Sequence, residues 1–86
     1  MMLAAWIDTQ TKGFAAAARL LGIEGINPGA TLARIARGER QPDADMVARI
    51  VALTAGAVTA QDMHEIRLSW LRANRPEKLE GLEAAQ

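Results

Sequence analysis

Three arginines in the segment 27–40, NPGATLARIARGER, are the residues of this chain with the clearest chemical role. Arg34 and Arg37 fall on one face of a helix at about 100° per residue, and Arg40 follows just beyond it. Guanidinium groups bind guanine edges and phosphates, and small neighbouring residues let a helix approach base edges closely. The pattern therefore suits a groove of DNA, although solvated arginines on a surface helix would give the same spacing.

The same segment has the signals of a helix with one buried face. Asn27 is typical of an N-cap and Pro28 of the first helical position, while Gly38 lies where a C-terminal stop belongs. The expected buried stripe consists of Leu32, Ile35 and Ala36. Beside the arginines, the opposite face carries Ala30, with Thr31 and Ala33 at its flanks.

Composition indicates one small domain without disulfides or a membrane segment. The chain has 86 residues, half of them apolar, and no Cys. A domain of this size buries only about 60% of the surface of its unfolded chain, so its core is thin. The lack of Cys excludes a thiolate metal site and favours a cytoplasmic location. No apolar run approaches the roughly 20 residues that cross a bilayer, and no signal peptide is expected.

The net charge is zero, but the charges are unevenly distributed along the chain. Between positions 12 and 40, only Glu24 and Glu39 oppose the basic residues. Those basic residues are Lys12, Arg19, Arg34, Arg37 and Arg40. A local basic surface on a neutral protein predicts modest affinity of one copy for a polyanion, and so favours a dimer.

Four further helices are expected around the arginine segment. Apolar spacing predicts a first helix that ends near Gln10, and the alanine-rich run 14–21 predicts a second that another helix can cross closely. Asp43 is placed to cap a fourth helix, and residues 59–62 have the spacing of a capping box that begins a fifth. This last helix is expected to continue to about Ala73.

The connection before the arginine helix and the end of the chain have no regular pattern. Gly25 permits a positive φ, and Ile23 and Ile26 are expected to turn inward. Residues 1–75 are expected to form the domain, and the polar residues 76–86 a flexible tail.

Glycines, a proline and apolar residues in the middle of the chain share the spacing of a known family. They are Ala18, Leu21, Gly22, Ile23, Leu32, Ile35, Gly38 and Pro42. This spacing, together with the segment GERQPDADMVARIVALTAGAVTAQDM, resembles the Cro-type (XRE-type) helix-turn-helix repressors over about residues 13–63. The resemblance implies an all-α, compact bundle of about five helices, in which the second helix of the central pair lies in the major groove.

One departure from the family lies in the turn before the arginine helix, which carries about four residues more than a tight turn. The fold expected is thus a helix-turn-helix with an extended turn. By position, the resemblance implies that the residues facing bases are Gly29, Ala30, Ala33 and Arg34, of which Arg34 is the best base reader. The implied phosphate contacts are Lys12, Arg19, Thr31, Arg37 and Arg40, with a base methyl as the alternative partner of Thr31.

The family implies a sequence-specific regulator of double-stranded DNA, a repressor that binds a palindromic operator without a cofactor. The same fold also serves antitoxins and adaptors that act on a toxin or a polymerase, and such a module would expose an apolar groove. An enzyme is not expected, because the single His64 and the single Ser69 are five residues apart and do not share a helical face.

The fifth helix carries more apolar surface than one docking face requires. Met63, Ile66 and Trp70 form a stripe that can pack on the bundle, which leaves a second patch without a partner. A symmetric homodimer would cover that patch, which consists of His64, Leu68, Leu71 and part of Trp70. Folding back of the tail, with Leu79 and Leu82 on the patch, is the alternative.

Overall fold

The computed structural model describes residues 1–78, which form five α-helices and one further helical turn at 76–78. The helices are α1 (Leu3–Gln10), α2 (Phe14–Leu20), α3 (Pro28–Arg37), α4 (Ala44–Leu53) and α5 (Ala60–Asn74). The predicted all-α fold is confirmed, including a long connection between α2 and α3. Leu79 and Leu82, and with them most of the predicted tail, lie outside the described residues. Within residues 1–78, no helix has both the length and the apolar character needed to cross a bilayer.

Side-chain caps fix where three of the helices begin. The Oδ1 atom of Asn27 accepts a hydrogen bond of 3.1 Å from the backbone amide of Ala30, and Asp43 caps α4 in the same way. Thr59 and Asp62 each accept a hydrogen bond from the other's backbone amide, so they form a reciprocal capping box. These contacts confirm the predicted starts, with Asp replacing the usual Glu in the capping box.

Small residues let α2 and α3 cross closely. Ala17 and Ala18 have 0% exposure, and a Cβ atom added to Gly29 would lie 3.2 Å from the backbone nitrogen of Ala15. Leu32, on the docked side of α3, is also fully buried. The remaining buried apolar residues are Leu3, Ile7, Leu21, Ile35, Ala36, Ile50, Val58, Met63 and Leu71. The predicted stripe on α3 is therefore confirmed.

The prediction that Ile26 turns inward is wrong. Its side chain is fully exposed, whereas Ile23 is half-buried against the core as expected. An apolar residue just before an N-cap is often held by a second apolar residue in the first turn of the helix. In α3 that second position is Thr31, so Ile26 has no apolar partner there.

The prediction that Leu71 belongs to an exposed patch is also wrong, since the residue is 6% exposed. The docked side of α5 includes the expected stripe, of which Met63 is buried, and it extends further round the helix to Arg67 and Leu71. Arg67 donates hydrogen bonds of 2.8 and 2.7 Å to the carbonyls of Gly38 and Glu39, just beyond α3. Leu71 lies one turn after Arg67 on the same side of the helix and so enters the core.

Candidate nucleic-acid interface

The outward side of α3 carries the two helical arginines. Arg34 and Arg37 are exposed, and Ala30 and Ala33 are half-buried beside them. The opposite side of the helix is buried against α2 and the rest of the core. An outward side built from arginines and alanines can enter a groove of DNA without steric conflict from larger side chains.

Gly29 does not belong to this outward side, contrary to the expectation that it faces bases. Its α-carbon lies against Ala15 of α2, where a Cβ atom would contact backbone at 3.2–3.3 Å. Gly29 therefore allows the close crossing of α2 and α3. The small residues that remain on the outward side of α3 are Ala30 and Ala33.

Thr31 lies at one edge of the outward side. Its hydroxyl donates a long hydrogen bond of 3.4 Å to the carbonyl of Asn27. It also lines an open groove of about 680 Å³, which runs between the α2–α3 connection and the start of α4. Arg40 and Arg49 line the same groove, where Glu24 and Asp43 balance their charges. Thr31 and Arg40 therefore line the same groove, and their role at phosphates stays a prediction.

Arg37 is paired with an acid that the sequence reasoning did not assign to the site. Its guanidinium donates a hydrogen bond of 2.6 Å to Glu39. This hydrogen bond, together with the charges of Arg37 and Arg34, holds the pKa of Glu39 below its ordinary value. Glu39 thus stays ionised among the arginines and occupies part of the hydrogen-bonding capacity of Arg37. The sequence signal for this ion pair was the position of Glu39, two residues after Arg37.

The end of α3 is held in place by Gly38. Gly38 has φ +84°, and its amide and that of Glu39 bond to the carbonyls of Ile35 and Arg34 at 3.1 and 3.0 Å. This arrangement is a Schellman motif, which requires a left-handed residue at this position. The glycine also lies directly against the backbone of Ile66 in α5.

Arg67 secures the same end of α3 from the side of α5. Its guanidinium bonds to the carbonyls of Gly38 and Glu39 and lies 5.4 Å from the ring centre of Trp70. A cation at this position complements the negative end of the helix dipole. Sequence reasoning missed Arg67, although it lies between Met63 and Trp70 at helical spacing, where an apolar residue was to be expected.

The other predicted basic contacts lie on the first part of the chain. Lys12 is exposed between α1 and α2, and Arg19 is exposed on α2. Neither side chain makes a hydrogen bond or an ion pair with any residue from 1 to 78. The structure gives no contact that joins them to the arginines of α3, so their role at phosphates stays a prediction.

The predicted dimer residues do not form one patch. His64 lines a groove with Pro42 and Val47, whereas Leu68 lines a different one with Met2 and Ile66. Trp70 is half-buried, and its Cβ atom lies close to Gly38. Of the four predicted residues, Leu68 is the apolar one that lines an open groove together with other apolar side chains.

The side chains that the sequence offers for metal binding or catalysis are not grouped in the described part of the chain. Between residues 1 and 78, no three His, Asp or Glu side chains are grouped as metal ligands. His64 and Ser69 are both exposed and make no hydrogen bond with each other.

No family model, curated protein or solved structure matches the chain. The candidate site therefore depends on its own geometry and on the resemblance seen in the sequence.

Proposed function

We propose that the chain is a sequence-specific regulator that binds double-stranded DNA, a Cro-type repressor acting in the cytoplasm on a palindromic operator. In this proposal α3 enters the major groove with its arginine side first. The observation that carries it is the outward side of α3, where Arg34 and Arg37 stand among alanines on a helix held firmly at both ends.

The residues of this surface have different roles in the proposal. Arg34 reads a base edge, because its side chain is exposed and takes no part in an ion pair within residues 1–78. Ala30 and Ala33 allow close approach. The residues that contact phosphates are Lys12, Arg19, Thr31, Arg37 and Arg40, which set register and affinity without reading sequence.

Immunoprecipitation of bound genomic fragments, followed by sequencing, tests the proposal directly. A shared palindromic site is the expected result. On that site, Arg34→Ala should weaken binding by about 1–3 kcal/mol and relax preference at one base pair, as loss of a bidentate arginine does. Arg75→Ala, at an exposed arginine after α5, is the matched control and should bind like the parent.

The outcomes separate the two functional candidates. If no DNA is enriched, the proposal is contradicted and the adaptor or antitoxin alternative is favoured. If DNA is enriched but Arg34→Ala and Arg75→Ala bind it equally, the regulator stands and Arg34 is not the base reader.

We also propose that the regulator is a homodimer, through a surface smaller than the sequence indicated. Met2, Ile66 and Leu68 line an open groove together with Glu65 and Arg72. When two α5 helices pair antiparallel about a two-fold axis between Leu68 and Ser69, Glu65 of one copy lies opposite Arg72 of the other. The charges of this surface are therefore self-complementary, as a two-fold interface requires.

Sedimentation at micromolar concentration tests the dimer. Leu68→Glu should give a monomer that keeps the helical circular dichroism spectrum of the parent, whereas Leu20→Glu, at a residue 64% exposed on α2, should remain dimeric. A parent protein that sediments as a monomer, or a Leu68→Glu variant that remains dimeric, would contradict this surface.

A further inference from the structure

Ile26 is the most exposed large apolar side chain in the described part of the chain. Its relative exposure is 107%, compared with 64% for Leu20 and 58% for Met1. Single exposed apolar residues are common on protein surfaces, so exposure alone assigns no role to Ile26. Its position decides the question, because it directly precedes the N-cap of α3.

The backbone on the helical side of Ile26 is fixed, although its side chain is free. Asn27 caps α3 through Ala30, and its carbonyl accepts the amide of Thr31 at 3.2 Å. On the other side Gly25 has φ +123°, with open space around its α-carbon. Ile26 is therefore held at the start of α3 without being packed against the protein.

The start of a recognition helix is the part that contacts base edges in helix-turn-helix proteins. At this end of α3 the other side chains are short or already engaged. The Asn27 side chain caps the helix, Gly29 lies against α2, and Ala30 offers one methyl group. The Thr31 hydroxyl bonds back to Asn27. Ile26 is the remaining side chain that is both long and unengaged.

We propose that Ile26 contacts the 5-methyl group of a thymine in the major groove and contributes to the sequence preference of the protein. An apolar side chain distinguishes thymine from cytosine through this methyl group, without a hydrogen bond. The inference rests on the proposed function, since it requires that α3 binds DNA. It also gives the extended turn a purpose, which is to carry an apolar residue to the start of α3.

Replacement of thymine by deoxyuridine tests the contact, because it removes the methyl group and keeps base pairing. In the site found by immunoprecipitation, each thymine is replaced in turn and affinity is measured by fluorescence anisotropy. For the parent, one replacement per half-site should weaken binding by about fourfold, the effect of losing burial of one methyl group. Ile26→Ser should bind the thymine site less tightly and should show no further loss with deoxyuridine.

Leu20→Ser is the matched control, since it removes another exposed aliphatic side chain. It should keep the sensitivity of the parent to deoxyuridine. The Tm of Ile26→Ser should equal that of the parent, which ensures that a loss of binding does not arise from unfolding.

The possible failures are distinguishable. If the protein binds DNA and no deoxyuridine replacement weakens binding, or if Ile26→Ser keeps the sensitivity of the parent, the inference about Ile26 is overturned and the DNA-binding function stands. If the protein binds no DNA, the proposed function fails and the inference fails with it.

Discussion

The contact between Gly38 and α5 predicts that Gly38→Ala is strongly destabilising. Two separate costs arise. Gly38 has φ +84°, a conformation that costs a residue with a side chain about 1–3 kcal/mol. A Cβ atom would also lie much closer than contact distance to the Ile66 carbonyl, and 3.1 Å from the Trp70 Cβ atom. Since the obstacle is mainly backbone, α5 itself must move, at a further cost of about 1–3 kcal/mol.

Gly56→Ala separates the two costs. Gly56 has φ +83°, and no heavy atom lies within 4 Å of the position of its Cβ atom. This variant therefore carries the same backbone strain without the clash. Thermal unfolding followed by far-ultraviolet circular dichroism should show a lower Tm for both variants. The total for Gly38→Ala, about 2–6 kcal/mol, corresponds to a fall of at least about 8 °C in a domain of this size.

The difference between the two variants is the quantity that tests the reasoning. Gly38→Ala should melt at least about 4 °C below Gly56→Ala, because the clash with α5 adds about 1 kcal/mol or more. Equal Tm values for the two variants would refute the claim that α5 presses on the end of α3, and with it the role assigned to Arg67.

Three other predictions follow from single contacts. Glu39→Gln should free Arg37 for a phosphate, so DNA binding should become tighter and the slope of log affinity against log salt should become steeper by about one. Glu77→Gln is the control, and an unchanged slope for Glu39→Gln would exclude competition by Glu39. Gly25→Val should lower the free energy of unfolding by about 1–3 kcal/mol through backbone strain, whereas Ile26→Asp should leave the Tm unchanged because Ile26 is exposed. Equal Tm changes for the two variants in thermal melts would contradict the conformation of the loop. The backbone amide of Thr59, with the α-amino group of Met1, lowers the pKa of Asp62 below its ordinary value of 3.8. The ionised carboxylate therefore stabilises the fold above that pH, and this stabilisation is lost as the pH falls through the lowered pKa. When Tm is measured against pH, it should fall less steeply in acid for Asp62→Asn than for the parent.

The helix boundaries were predictable because their causes are local. Asn27, Asp43 and Thr59 each accept a hydrogen bond from an amide three residues further on, so the sequence contains both partners within one turn. The buried stripe of α3 was predictable for a similar reason, since its hydrophobic period is unambiguous. Such signals require no knowledge of where the other helices lie.

Contacts between distant residues were not predictable in the same way. Arg67 and Gly38 are 29 residues apart, and nothing near either residue indicates the other. A helical wheel showed two apolar sides of α5 but could not show that a residue of each side, Met63 and Leu71, is buried. Because Arg67 bonds to the end of α3, the docked side of α5 includes an arginine and extends to Leu71, which is buried. Gly29 was misassigned for a related reason, since its neighbour Ala15 lies in another helix.

The orientation of α3, which follows an extended turn, is set by the contacts of two glycines. At the start of α3, Gly29 lies against the backbone of Ala15, so the approach to α2 has little freedom. At the end, Gly38 lies against the backbone of Ile66, and Arg67 bonds to the carbonyls there. Contacts between backbones tolerate far less displacement than contacts between long side chains, because no side chain can rotate to relieve them. The orientation of α3 therefore depends on its two ends and not on the length of the turn, which leaves the turn free to carry Ile26 outward.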